Sequence, residues 1–181
     1  MPTAPDPELT RAELVEAYEI WQLLGPLATA RAVSLASREQ LLEATRLVSM
    51  MRTEDCAVLW AQYNLRFHRL LEDAGSGPRV TTILGELHDL TERHVYQAIA
   101  TQAGLAHVAN DEHEEILRAV LAGDAEAAAD ATFRHISARL DGLLTLRAVT
   151  AAQCPPAGNV PLTTEGTAER ALAHPPVPSR A

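Results

Sequence analysis

The feature that most constrains the fold of this chain is the helical spacing of its apolar side chains. In the first segment, from Leu14 to Ala28, apolar residues recur at intervals of three and four, and no segment alternates with the period of two that marks a half-buried strand. Alanine and leucine dominate the composition and aromatic residues make up only 4%, which favours helices over a β-sandwich. The sequence therefore predicts an all-α fold.

Capping motifs and glycine-proline breaks divide this pattern into about six to seven helices with short connections, as in an antiparallel bundle. The first two helices open with the spacings Thr-x-x-Glu and Ser-x-x-Gln, which are capping boxes. A Gly-Pro pair inside the first helix is expected to kink or divide it. The first helix is expected to begin at the capping box of Thr10 and Glu13 and to contain Gly25 and Pro26, and the second to begin at the capping box of Ser37 and Gln40. The third is expected to have Thr53 as its N-cap and to end at about Ala74, and the fourth to run from Pro78 to Ala100. After a loop over 101–106, the fifth helix is expected to end at Ala122, and the sixth to be capped by Asp124 and to end at about Leu146.

Both ends of the chain look different from this helical middle. Residues 1–9 contain three prolines, and residues 150–181 are rich in Pro and Ala without any periodicity. Such segments lack the apolar side chains needed to offset the entropy lost on ordering. We therefore expect one helical domain over residues 10–149 between two disordered ends.

Charge and motif content exclude several functions. The formal net charge is −9, so no basic face is available for nucleic acid, and we expect no direct nucleic acid binding by this chain. Cys56 and Cys154 are isolated and predict neither a disulfide framework nor a cysteine zinc site. No signal peptide and no run of eighteen apolar residues is present, so we expect a cytoplasmic protein without membrane contact.

Four side chains have a spacing that suggests a metal site. Asn64 and His68 are four residues apart on the predicted third helix and so share one face. His113 and His135 lie on either side of the turn at residues 123–124, at nearly equal distances in sequence. At ~1.5 Å rise per residue, both lie roughly 16 Å from that turn in an antiparallel pair, level with each other. If the third helix packs beside this pair, all four side chains meet.

Three imidazoles with one oxygen donor suit a divalent metal, with zinc the first expectation and nickel, iron or manganese as alternatives. Spacing alone leaves open that these are unrelated surface or core histidines. Among the other histidines, His88 and His94 are six residues apart and are not expected to share a face. His107 is expected near a loop and His174 in the tail.

Three stretches of the sequence resemble the FCD (FadR C-terminal) effector domain of the GntR-family transcription regulators. Residues 13–36 are similar to the opening helix of that domain, including Pro26. The stretch Asn-Leu-Arg-Phe-His-Arg-Leu-Leu over 64–71 is similar to its Asp/Asn-x-x-Phe-His-x-x-Leu motif. The most specific stretch begins with Glu-His-Glu-Glu-Ile at 112–116 and continues through the turn to His135. The resemblance covers about residues 10–146.

The resemblance implies that Asn64, His68, His113 and His135 hold one divalent metal ion. It also implies that the metal, often with an arginine, receives the carboxylate of a small organic acid, and Arg93 is our candidate for that arginine. Two departures stand out. Asn64 stands where aspartate is more usual, and Trp21 and Gly25 stand where an arginine and a glutamate are common, so the pocket rim or the dimer face is expected to differ. A homodimer is expected.

A complete regulator of this type carries a winged helix-turn-helix before the effector domain, and nine residues are too few for one. Three explanations follow: an effector module of a truncated regulator, a stand-alone sensor or modulator, or a scaffold recruited as a metal-dependent enzyme of lyase, isomerase or hydrolase type. An enzyme would need a base close to the metal, for which the candidates are Glu72, Asp89, His94 and Tyr96. A binding module would instead have a closed pocket lined by hydrogen-bond donors.

Overall fold

The computed structural model of the chain is an all-α bundle of six helices within the residues it describes. These are residues 9–102 and 104–153 for the backbone, with side chains described up to residue 146. None of the described helices is both long and apolar enough to cross a membrane. The helices are α1 (Arg11–Leu35), α2 (Arg38–Thr53), α3 (Ala57–Gly75), α4 (Pro78–Thr101), α5 (Leu105–Ala122) and α6 (Ala125–Gln153).

The predicted capping motifs begin the first two helices and the last. The Thr10 hydroxyl accepts a hydrogen bond from the Glu13 backbone N–H at 3.2 Å, and the Glu13 carboxylate accepts from the Thr10 N–H at 2.7 Å. Ser37 and Gln40 form the same reciprocal pair at the start of α2. Before α6, the Asp124 carboxylate accepts from a backbone N–H of the first turn at 3.0 Å. These bonds satisfy donors that a helix start would otherwise leave unpaired.

The expected division of the first helix at Gly25-Pro26 does not occur, because α1 runs unbroken from Arg11 to Leu35. Proline removes one backbone donor, but α1 packs more extensively on α6 and α3 than any other helix packs on its neighbours. Gly25 itself is buried, and a Cβ at that position would lie 3.0 Å from Ile136 of α6 and 3.0 Å from the Trp21 ring. Tertiary packing therefore holds the helix together through its weak point.

Two other boundaries differ from the prediction. Thr53 is the last residue of α2 rather than the N-cap of α3, which begins after Cys56. The connection is only three residues long, and the Glu54 side chain, instead of an N-cap side chain, accepts from the Cys56 N–H at 2.9 Å. The predicted disordered tail from Thr150 is also wrong at its start, since α6 continues to Gln153 through alanines that favour a helix. The rest of that tail, and residues 1–8, lie outside the described residues.

Two clusters of buried apolar side chains form the core. One is built by α2, α3, α5 and the start of α6, and includes Trp60 and Phe67. The other is built by α1, α4 and α6, and includes Tyr18 and Trp21. The buried His68 of α3 contacts a ring of each cluster, with 5.4 Å between its centroid and that of Phe67 and 5.7 Å between its centroid and that of Trp21.

Gly75 allows the end of α3 to approach α1 closely. A Cβ at this position would lie 1.8 Å from the Ala28 carbonyl oxygen and 2.8 Å from the Ala32 nitrogen. Both obstacles are backbone atoms, so no side-chain rotation relieves the clash. We expect Gly75→Ala to lower the free energy of unfolding by about 1–3 kcal/mol, measured by urea denaturation.

The control for this substitution is Gly85→Ala. Gly85 also lies inside a helix, but a Cβ there meets nothing within 4 Å. Alanine is the better helix former by about 0.5–1 kcal/mol, so this variant should gain stability. Equal stability changes in the two variants would contradict the close approach of α3 to α1.

Candidate metal centre

Three histidines from three different helices meet in the interior of the bundle. His68 lies on α3, His113 on α5 and His135 on α6, and all three are buried. Each offers one ring nitrogen such that the three nitrogens lie within 4.8 Å of one another. The ring centroids of His113 and His135 are 4.6 Å apart, as expected for positions at matching heights on the two sides of the Gly123 turn.

Three ring nitrogens of this cluster lack protein partners. Neither ring nitrogen of His113, nor Nε2 of His68, has a hydrogen-bond partner among the described residues. A buried polar atom without a partner costs about 1–3 kcal/mol, so a native structure rarely keeps several in one place without a ligand. Three imidazoles are ligands that divalent metals accept, so the three histidines with their orphaned nitrogens could hold a metal ion.

The electrostatics keep these rings neutral. Burial, followed by the neighbouring His135 and His113, holds the pKa of His68 well below its usual value. Burial, with His135 and then Arg139 as smaller causes, does the same to the pKa of His113. The pKa of His135 is also lowered, chiefly by burial, although its bond to Glu112 opposes the shift. A neutral imidazole keeps the lone pair that a metal requires.

Glu112 orients one of the three rings. Nδ1 of His135 donates to the Glu112 carboxylate at 2.8 Å, and the Arg139 guanidinium donates to the same carboxylate at 3.2 Å. With the proton on Nδ1, Nε2 of His135 carries the free lone pair. This arrangement of a carboxylate behind a histidine is the usual support of a metal ligand.

Asn64 lies one turn before His68 on α3 and lines the same small cavity as His68 and His135. It is 8% exposed, so its amide is placed inside the protein rather than in solvent. The structure thus brings the fourth residue of the predicted set to the cavity beside the histidines. Its amide is neutral, which leaves the charge of a bound cation to be compensated by other groups.

Two donors in the cavity wall were not predicted from the sequence. The Tyr18 hydroxyl and the Nε and Nη1 atoms of Arg139 are buried and lack hydrogen-bond partners among the described residues. Burial raises the pKa of the Tyr18 phenol, so it remains a donor. The arginine at 139 follows His135 by four residues, and that spacing was the available signal in the sequence.

Arg93 does not line this cavity. It is exposed and lines a separate surface groove, together with Asp89, Glu92 and Tyr96. In the structure, the arginine close to the histidine cluster is Arg139.

A second buried polar group lies beside His68. The Glu72 carboxylate accepts from the Trp21 indole N–H at 2.8 Å and contacts His88 Nε2 at 2.6 Å. The Trp21 ring lies edge-on to His68, with 5.7 Å between centroids. The departure at position 21 therefore falls in the pocket wall.

The lowered pKa values predict an acid sensitivity of the metal-free protein. In the unfolded chain each histidine binds a proton below about pH 6.5, whereas His68, His113 and His135 in the folded chain do not until lower pH. The unfolded state then holds more protons, so stability falls as the pH drops below 6.5. Each histidine still neutral at pH 5 contributes at most about 2 kcal/mol to this loss.

We expect the melting temperature of the protein in chelator to fall clearly between pH 7 and pH 5, measured by calorimetry. Partly exposed carboxylates with lowered pKa values, such as Glu43 and Glu115, titrate below 4.5 and act outside this window. A melting temperature that stays constant from pH 7 to pH 5 would show that the three rings are not buried in their neutral form.

Comparison with known proteins agrees with this geometry. The family model of the FCD domain matches residues 16–138. The fold is similar to the crystal structure of a transcriptional regulator, a GntR family member from Pseudomonas syringae pv. tomato str. DC3000, with a TM-score of 0.72 and 20% identity over 81% of this chain and 62% of that chain. No curated protein matches the chain significantly. At 20% identity the structural likeness shows the fold alone, and this chain spans 62% of the regulator's length. Because the family model covers more than half of the sequence, the chain belongs to the FCD domain family.

Proposed function

We propose that this chain is the effector domain of a GntR/FadR-type transcriptional regulator, one that binds a small organic acid through a divalent metal ion. The observation that carries the proposal is the cluster of three buried histidines, with orphaned ring nitrogens, next to a cavity lined by an arginine whose Nε and Nη1 atoms are buried. Family membership supports a regulatory role for such a site. The similarity to the Pseudomonas regulator agrees with it at the level of fold.

His68, His113 and His135 would hold the metal, with Asn64 as the fourth ligand. Bound there, the metal would supply a positive centre for an anionic ligand. Zinc suits this set best because it binds imidazole nitrogens and an oxygen and can expand to five partners, which leaves a position for the acid; nickel, iron and manganese are alternatives. Since all four side chains are neutral, a bound anion would compensate the metal charge that the protein leaves uncompensated.

The metal site is tested by metal analysis of the purified protein. We expect about one divalent ion per chain, and we expect His113→Ala and His135→Ala to lose it, because two imidazoles cannot hold a buried ion tightly. Glu112→Gln keeps all three imidazoles but removes the charge behind His135, so metal affinity should fall by about 10–100-fold.

His107→Ala is the matched control for these variants. His107 is on the same helix as His113 but is exposed and outside the cluster. It should keep full metal content and normal stability. If His113→Ala and His135→Ala also keep full metal content while remaining folded, the ligand assignment is wrong.

Arg139 is the group that we assign to the ligand carboxylate. One side of its guanidinium is held by Glu112, while Nε and Nη1 are buried without partners beside the cavity. Each of those N–H groups can donate a charge-assisted hydrogen bond to a carboxylate oxygen. The Tyr18 hydroxyl supplies a third donor in the same wall.

We expect Arg139→Gln to weaken the binding of a carboxylate such as butyrate to the zinc-loaded protein by about 10–100-fold, measured by titration calorimetry, because a charged hydrogen-bond donor is lost. Zinc content should remain. Arg93→Gln is the matched control and should bind the acid normally. If Arg93→Gln instead weakens the binding of the acid and Arg139→Gln binds it normally, the carboxylate is bound by Arg93, as expected from the sequence, and the assignment to Arg139 is wrong.

The alternative of a metal-dependent enzyme receives less support from the geometry. None of the four candidate bases lines the cavity: Glu72 contacts Trp21 and His88, Asp89 pairs with Arg69, His94 lies elsewhere on α4, and Tyr96 is exposed. Besides the cluster itself, the buried groups that face the cavity without partners are donors. A cavity whose unpaired polar groups are donors suits binding, so we expect the acids to be recovered unchanged after incubation with the zinc-loaded protein.

We further propose that the domain acts in the cytoplasm as a homodimer. The outer face of α1 exposes Ile20, Leu23 and Leu27, which are spaced at helical intervals. Exposed apolar side chains that share a helix face are typical of interaction surfaces, and their presence supports the expected dimer.

A further inference from the structure

We infer that the acid held in this cavity carries a single carboxylate and a short apolar tail, with no polar group at the far end of the tail. The inference rests on the proposed function, because it concerns the same metal and the same cavity. It is drawn from what the cavity wall offers beyond the carboxylate site.

Away from the histidines, the wall of the cavity is apolar. Side chains of α4, α5 and α6 form it, together with two tryptophan rings. The residues are Val95, Ala98, Ile99, Leu105, Ala138 and Leu143. Contact with such a wall favours methylene and methyl groups, and it offers no hydrogen bond to a distal hydroxyl or carboxylate.

The two tryptophans that line the cavity present only their rings, because both indole N–H groups are already used. Trp21 donates to Glu72 at 2.8 Å, and Trp60 donates to Asn110 at 3.1 Å. Apart from Asn64, which is proposed as a metal ligand, the buried donors without partners in the described wall are thus Tyr18 and Arg139. One carboxylate uses both, and a second would have no donor.

The charges around the cavity also favour an acid with a single carboxylate. Arg139 is the one cationic side chain among the described residues that line the cavity, and it already shares its charge with Glu112. Behind the wall, the Glu72 carboxylate is buried next to Trp21. A second ligand carboxylate would therefore be desolvated near a negative group and without a cation of its own.

The cavity is also small. Its volume is about 20 Å³, so the tail that it accepts is short. Gly142 lines it, and a Cβ at that position would meet nothing within 4 Å. Because Gly142 has no side chain, the space beside it is open, and the tail of the acid would fill part of that space.

The experiment is a titration of the zinc-loaded full chain with matched acids. Affinity should rise by roughly fourfold for each methylene from acetate to propionate to butyrate. Succinate and 4-hydroxybutyrate have the same four-carbon chain as butyrate but a polar far end, and each should bind at least about tenfold more weakly than butyrate. The inference is overturned if either binds as tightly as butyrate.

The same titration separates this inference from the proposed function. Tight binding of succinate would sink the apolar tail and leave a metal-dependent acid site in place. Absence of zinc from the purified protein, or zinc without binding of any of these acids, would remove the proposed function, and the inference with it.

Two alanine variants place the tail in this cavity. Gly142→Ala adds a methyl group to the wall without a clash, so the affinity for butyrate should fall at least about fivefold while the binding of acetate and of zinc persists. Gly85→Ala adds the same group in open space away from the cavity and should leave the binding of butyrate, acetate and zinc unchanged. Equal butyrate affinity in the two variants would contradict this location for the tail.

Discussion

The structure depends on burying three neutral imidazoles against one another where three helices meet. Each ring is taken out of water, and the nitrogens of His113 receive no protein hydrogen bond in return within the described chain. That arrangement is unfavourable by itself, and the two surrounding apolar clusters hold it in place. Such a site is pre-organised for a cation, because folding has already removed the three imidazoles from water.

Two carboxylates near the cluster, those of Glu112 and Glu72, each bond to two neighbouring side chains. Glu112 accepts from His135 on one side and from Arg139 on the other, so one carboxylate orients a proposed metal ligand and the proposed carboxylate anchor together. On the opposite side, Glu72 ties Trp21 to His88 and directs the tryptophan ring toward His68. Both carboxylates are engaged with protein donors, which leaves the cavity itself with donors and apolar surface.

The substitution of the usual aspartate by Asn64 fits this balance. Three imidazoles and an amide leave a bound divalent ion with its full charge, and Glu112 already shares its charge with Arg139. An acid that enters the cavity would supply the missing negative charge. A domain of this kind would respond to the metal and the acid together rather than to either alone.

Much of the local structure and the histidine set could be predicted from the sequence because they depend on short-range rules. Caps at Thr10 and Ser37, the turn at Gly123 and the period of the apolar residues are properties of neighbouring residues, and the equal distances of His113 and His135 from a turn follow from helix geometry. Which helix faces meet across long sequence separations decides that Arg139 rather than Arg93 lines the cavity, that Tyr18 and Trp21 lie in its wall, and that α1 continues unbroken through Pro26. Only tertiary packing decides those contacts, because the direction in which a side chain points into a shared cavity is set by the neighbours that enclose it.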